Sequence, residues 1–314
     1  MSDRVLIIEA ESLLGAVLAR GFRQAGWSVD RYQRGSDMTI AARGVRWIID
    51  TSTIDGTKAQ EPQVRERIRA LIGAAAQTGV SLMFPADISV FGKEPAPWGP
   101  HSPNRPVTRR GRLAVEMENR LREAAEAQRS VTLILRHGEL LHAPSQQAML
   151  NRVILAEIDR SRIIAPGRPH VPRSYIDAED LSQIALSLSE TADLVPGRLE
   201  IGLPGTRFSY EALTHEISRQ LGREIGRKAF PWSMMRLLAP FRERARLALE
   251  DRYIFNHPHE IDGTGFAGLF PEFRFKPLER IVFEHLYLRG LVVPSGSQST
   301  STQTSPWREA SVAQ

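Results

Sequence analysis

The chain opens with Val5-Leu6-Ile7-Ile8-Glu9-Ala10-Glu11-Ser12-Leu13-Leu14-Gly15. An apolar run, a polar turn and a renewed apolar spacing read as a buried strand that turns sharply into a helix. This is the order of a dinucleotide-binding unit. In such a unit one glycine permits the tight turn, a second lets the backbone approach a pyrophosphate, and a third lets helix pack on strand. Those three places hold Glu9, Ser12 and Gly15. The packing glycine is kept and the two that face a ligand are replaced, so the stretch announces the fold more clearly than the activity.

Outward from it, the opening helix is expected over about Leu13 to Ala25, followed by a strand at Trp27 to Tyr32 and another at Val45 to Asp50. The gap between these strands is short for the crossover that a parallel neighbour needs, so this region is trimmed. Helical spacing returns over Pro62 to Gln77, and Val80 to Pro85 reads as a buried strand. The five prolines of Lys93 to Pro106 mark a surface loop. Thr108 caps a helix with the stripe Leu113, Met117, Leu121 and Ala124, and Val131 to Arg136 is a further buried strand. Alternating strands and helices imply an α/β fold, a Rossmann-like doubly wound parallel sheet; the smaller C-terminal α/β subdomain of substrate-binding type expected after it is what the family resemblance given below implies.

The expected organisation is a nucleotide-binding-type domain over 1–143, then the remaining sheet elements and the subdomain over 144–293, then a disordered Ser/Thr-rich tail over 294–314. Within the second part, helices are expected near Gln146 to Asp159, over Ala178 to Ser189, from Ser209 to Leu221, over Pro231 to Leu249 and over Pro277 to Leu288, with strands at Arg198 to Ile201 and Ile225 to Phe230. The helix carrying Trp232, Met234 and Met235 is read first as core, with a pocket or partner surface as the other option.

The 314 residues are 42% apolar and 25% charged, enough for one large or two modest domains. No apolar run is long enough for a membrane span and no secretory leader is legible, so a cytoplasmic location is expected. The absence of cysteine excludes disulfides, thiolate metal sites and a cysteine nucleophile. The net charge of +5 comes from basic residues interleaved with acids along helices, a solvated face, so no nucleic acid is expected as partner. His257-Pro258-His259-Glu260 lacks a third set of ligands, and no metal is assigned to it.

The order of elements, with Val5 to Gly15, Ser89-Val90-Phe91-Gly92, Pro106 to Glu118, Leu135-Arg136-His137-Gly138 and Arg173-Ser174-Tyr175-Ile176-Asp177, resembles the extended short-chain dehydrogenase/reductases, in their NAD-dependent epimerase/dehydratase branch. The resemblance covers about Arg4 to Leu288, and the helix opening Phe230-Pro231-Trp232 is similar to the C-terminal part of atypical bacterial members. It implies a tyrosine acid/base, a lysine four residues later and a hydroxyl on the reacting oxygen. On matching Gly111 to the glycine after the tyrosine, the three roles fall on Arg110, Ala114 and Asp87, with Ser89 two places from the last and Glu118 at a later family glutamate. Arginine cannot shuttle a proton near neutral pH, and alanine offers neither charge nor hydrogen bond.

For a cofactor, NADP or NAD, the resemblance implies Ser12 and Gly15 at the phosphate turn and Arg34 where NADP-preferring relatives carry an arginine. It also implies Arg173 and Tyr175 at a substrate pocket. Glu9 and Glu11 oppose a pyrophosphate, since a like-charge pair at about 4 Å costs on the order of 4 kcal/mol at an effective dielectric of 20, more than a helix terminus returns. The expectation is therefore a pseudoenzyme: a binding or regulatory protein with degenerate cofactor and catalytic motifs, its ligand a small molecule or nucleotide and its oligomeric state and protein partner undetermined. The other reading is an active NAD(P)-dependent oxidoreductase or sugar-nucleotide epimerase that uses displaced residues such as Asp87, Ser89 and Arg110.

Overall fold

A computed structural model describes residues 3–127, 130–191 and 197–293. The expected tail, 294–314, lies outside the described residues. Strand β1 (Arg4–Ile8) leads into α1 (Leu13–Gln24), followed by β2 (Ser28–Arg31), α2 (Met38–Ala41), β3 (Trp47–Asp50), α3 (Glu61–Thr78), β4 (Ser81–Ala86), α4 (Arg109–Ala127) and β5 (Val131–His137). Then come β6 (Glu139–Leu141), β7 (Arg162–Ala165), β8 (Arg173–Asp177), α5 (Ala178–Glu190), β9 (Gly197–Leu203), β10 (Thr206–Phe208), α6 (Tyr210–Leu221) and β11 (Gly226–Ala229). The chain continues through α7 (Trp232–Leu238), α8 (Glu243–Asp251), α9 (Thr264–Leu269) and α10 (Leu278–Tyr287).

Six strands form a parallel sheet in the order β2-β1-β3-β4-β5-β9. Relative to the doubly wound order 3-2-1-4-5-6, the strand outside β2 is missing and β9 lengthens the other side. The trimmed connection after β2 still crosses over β1 to reach β3, using the single helical turn α2, whose N-cap Asp37 accepts from Ile40 N at 3.0 Å. Strand alternation divides the core. Val5 and Ile7 face α1 and α5 in one apolar cluster, while Leu6 and Ile8 face α3 and α4 in the other. A third cluster joins α6, α10, β7 and β8, beside a three-stranded sheet β10-β8-β6 and the pair β11-β7.

Two helices differ from the sequence expectation. Pro231 to Leu249 is not continuous: α7 stops at Leu238 and α8 starts at Glu243, with Pro240 in the gap, where proline lacks the N–H of an ongoing helix. Its first half is also not core, because α7 has no buried residue. The helix expected near Gln146 to Asp159 is a π-turn at Leu150–Ile154 and a 3-10 turn at Ile158–Arg160. Here Asn151 sends its amide to the carbonyls of Ala143 and Ser145, both at 2.9 Å, and holds the chain in irregular form.

Candidate functional site

The opening turn keeps the course of a phosphate-binding turn with different side chains. Glu9 sits at φ 54°, the left-handed conformation that glycine adopts freely and that other residues hold at a cost of roughly 1–2 kcal/mol. Gly15 is required by contact. A Cβ there would lie 2.3 Å from the Glu9 carbonyl oxygen and 2.9 Å from the Thr51 hydroxyl. Ser12 caps α1, accepting from Gly15 N at 3.0 Å, so one of the N–H groups at the helix start is already taken.

The two turn carboxylates face arginines at the end of β2: Arg34 donates to Glu9 at 3.2 Å and Arg31 pairs with Glu11. Arg34 is thus joined to a carboxylate at the place where the resemblance puts a 2′-phosphate arginine. The turn keeps a left-handed residue at its first position, and its two carboxylates are paired with arginines, Glu9 standing where the usual pyrophosphate grip has a glycine.

A cavity of about 640 Å³ opens at the C-terminal ends of β1, β3, β4 and β5, with Ser12, Thr51, Asp87, Arg110, His137 and Asp251 on its wall. Asp87 is set by local chain logic. It follows β4, and its carboxylate accepts from Ser89 N at 2.8 Å to cap a 3-10 turn, Ile88–Val90. Arg110 is brought to it by Gly111. A Cβ at Gly111 would lie 2.4 Å from the Ser89 carbonyl, so the start of α4 lies flush on that turn, with Thr108 capping the helix through Gly111 N at 3.1 Å. Arg110 is therefore no surface residue. Its side chain is 22% exposed and spans two carboxylates, Asp87 at 3.4 Å and Asp251 at 3.7 Å.

The electrostatics separate the two acids. Burial opposes ionisation of Asp87, but Arg110 and the Ser89 hydrogen bonds outweigh it and bring the carboxyl down to about 2. Asp251 is pushed up by burial, only partly opposed by Arg110 and reinforced by Asp87. Tyr253 is likewise raised by burial and stays a neutral phenol. His137 is lowered by burial and its Nδ1 donates to its neighbour Gly138 O at 2.7 Å. Ser89 is almost wholly buried beside the Asp87 carboxylate to which its N–H donates. Ala114 lies on the cavity wall and supplies no polar group.

Arg173 and Tyr175 lie behind the cavity rather than on it. Arg173 is 1% exposed, stacks over Tyr175, Tyr210 and Phe255, and donates to Tyr210 Oη at 2.6 Å. Its link to the cavity is Glu139, which accepts from it at 3.2 Å and whose carboxyl is raised by burial. Glu118 and Arg136 form a second buried clamp. Two hydrogen bonds at 2.9 and 2.8 Å join them, and Arg136 also donates to Asp87 O at 2.8 Å, fixing the turn that carries Asp87.

His257 and His259 both stack on Trp98, Ser174 N donates to His259 Nδ1 at 3.3 Å, and Glu260 pairs with Arg207 at 2.7 Å. Among the described residues no group of three or more His, Asp or Glu is arranged to hold a metal. Asp251, Tyr253 and Glu139 were not legible as site residues. They meet Arg110 across long stretches of sequence, and no local motif marks them.

No family model matches the chain, and no curated protein matches it in sequence. Solved structures do match in fold. MoeE5 in complex with UDP-glucuronic acid and NAD has a TM-score of 0.71 at 14% identity, over 91% of this chain and 99% of that one. UDP-glucuronic acid 4-epimerase from Bacillus cereus, in complex with UDP-glucuronic acid and NAD, has 0.72 at 12%, over 92% and 99%. TunA, an NAD-dependent NDP-hexosamine 5,6-dehydratase involved in tunicamycin biosynthesis, has 0.69 at 15%, over 92% and 98%. The chain thus has the Rossmann-like fold of NAD-dependent epimerases and dehydratases.

Proposed function

We propose that this chain is a degenerate member of the epimerase/dehydratase branch of the extended short-chain dehydrogenase/reductases, a binding or regulatory protein that does not carry out the family's hydride transfer. One observation carries the reading. Arg110 is held between Asp87 and Asp251, and on the matching of Gly111 it takes the tyrosine place, with Ala114 in the lysine place. An arginine in that setting keeps its proton across the working pH range, so it can hold a ligand but cannot relay a proton.

The cavity then acts as a binding chamber. Asp50 is matched by Arg67 at 2.9 Å and Glu118 by Arg136, and Arg152 stands on the same wall without an ion pair among the described residues, whereas Asp87 and Asp251 share Arg110, so negative charge is in excess at the Asp87–Asp251 side. A ligand that places a neutral or hydroxylated portion there suits this wall better than one that places a carboxylate there. Ser12 and Gly15 shape the nucleotide end of the chamber, and Arg34 reaches a cofactor phosphate only on leaving Glu9.

A second reading, an active NAD(P)-dependent enzyme with displaced residues, is favoured by the tight packing of Gly15 and by Tyr253, a phenol in the electrostatic field of Arg110. Calorimetric titration with NADH and NADPH separates them. The binding-protein reading expects no binding of either in the micromolar range. A micromolar dissociation constant, followed by conversion of a nucleotide sugar to a new product resolved by anion-exchange chromatography, would overturn it.

A further inference from the structure

Helix α7 has no buried residue, and the sequence pattern that pointed to core is displayed at the surface. Met234, Leu237, Leu238 and, just beyond the helix, Phe241 are 48%, 73%, 38% and 82% exposed. Arg236, Arg242 and Arg244 are exposed on the same segment and have no ion-pair partner among the described residues, whereas Arg246 reaches Glu243 at 3.8 Å. The base of the segment is fixed. Trp232 donates from its indole to Pro166 O at 2.7 Å, and Arg252 stacks over its ring.

We propose that this projection docks on an anionic lipid surface, its apolar tips entering the headgroup boundary and its guanidinium groups meeting lipid phosphates. The charge selects the occupant. Cations with no internal partner match an anionic surface, while a second copy seated symmetrically on the same patch would set arginines against arginines. The charge count agrees: between Met234 and Arg244 three arginines stand against the single acid Glu243, an excess of positive charge that an anionic surface attracts.

The segment also runs directly into α8, where Glu243 accepts from Lys58 N and Arg109 and where Asp251 stands on the cavity wall. Lipid contact would therefore occur at the start of the helix whose last residue, Asp251, lines the cavity. This surface is independent of the nucleotide reading, and either stands if the other fails.

Co-sedimentation of the full chain with phosphatidylglycerol/phosphatidylcholine vesicles, and with phosphatidylcholine alone, tests it. Binding to the anionic vesicles only is expected, lost at about 0.5 M salt, where the screening length falls to a few ångströms. Leu237→Ser/Phe241→Ser and Arg236→Gln/Arg242→Gln/Arg244→Gln should each weaken binding by about tenfold or more, with circular dichroism and melting temperature unchanged because these side chains are exposed. No sedimentation of the wild-type chain, or equal sedimentation of Leu237→Ser/Phe241→Ser, would overturn the proposal. So would binding to polyglutamate without vesicle binding, or a dimer in light scattering that these substitutions dissolve while vesicles bind nothing.

Discussion

Arg110 lies 3.4 Å from Asp87 and ties the first turn of α4 to the turn after β4 at the mouth of the cavity. The pair is completed by Asp251 from the end of α8, so one cation holds three elements of the chain together. Removing it leaves two acids facing each other. Arg110→Ala is expected to cost about 2 kcal/mol in urea unfolding, below the cost of breaking a fully buried pair because the site is partly open. Adding Asp251→Asn should recover part of the loss. An Arg110→Ala protein as stable as wild type would show that the three groups are not coupled.

Glu9 stands in a glycine conformation, and its carboxylate pairs with the exposed Arg34. Glu9→Gly therefore relieves about 1 kcal/mol of backbone strain and forfeits a surface ion pair worth about 0–1 kcal/mol, for a net change close to zero. Combined with Ser12→Gly it removes one turn carboxylate and releases Arg34. NADPH affinity should rise by about tenfold, roughly 1.4 kcal/mol. If affinity stays flat in calorimetry, the obstacle lies deeper than this turn.

Gly15 tolerates no side chain. Gly15→Ala would press a methyl against Glu9 O and Thr51 Oγ1, backbone and short side chain with little room to yield. A loss of about 2 kcal/mol or more is expected, at the upper part of the overpacking range. A melting temperature within a degree of wild type would refute this close approach.

Asp180 is raised to about 6 by burial, against a hydrogen bond it accepts from Lys276 N at 2.8 Å. Because its folded value lies above the unfolded one, its favourable contribution is full below about pH 4 and is lost as pH rises through 6. Asp180→Asn keeps an acceptor without the charge. It should stabilise the chain by on the order of 1–2 kcal/mol at pH 7 and by little at pH 4. Equal effects at the two pH values would contradict burial as the cause.

His285 is lowered to about 3 by burial, and its Nδ1 donates to Asn151 Oδ1 at 2.9 Å. A depressed histidine supports the fold while neutral, so its contribution is full above about pH 6.5 and falls as pH drops toward 3. The slope is up to about 1.4 kcal/mol per pH unit. His285→Gln should flatten the acid limb of a stability–pH curve measured between pH 6 and 4; a parallel limb would show that the ring is not held neutral.

The strands and helices of the sheet were legible because their apolar residues repeat at two fixed periods, and the Val5 to Gly15 stretch placed the strand-to-helix turn correctly. The positions of Asp87 and Arg110 were legible through Gly111, whose lack of a side chain is a packing requirement between α4 and the Ser89 turn. What Arg110 does there was not, since its second partner arrives from Asp251, 141 positions later. Arg173 and Tyr175 show the reverse case. Their string is recognisable, yet whether an arginine points into a cavity or is buried behind it depends on Tyr210 and Glu139, which no local spacing connects to it. Exposure of α7 was equally hidden, because Met and Leu at helical spacing look the same whether a neighbour covers them or not.

The missing strand outside β2 leaves a four-residue ribbon as the last rung of the sheet, with one row of peptide groups free to pair with another chain. Its guards are charges: Asp30 is bound to Arg4 at 2.6 Å and Arg31 to Glu11. Short length and ionised side chains are how natural sheets discourage unwanted strand addition. The salt link at Glu11, which weighs against a phosphate, thus has a second consequence: it keeps this border of the protein from becoming a template for aggregation.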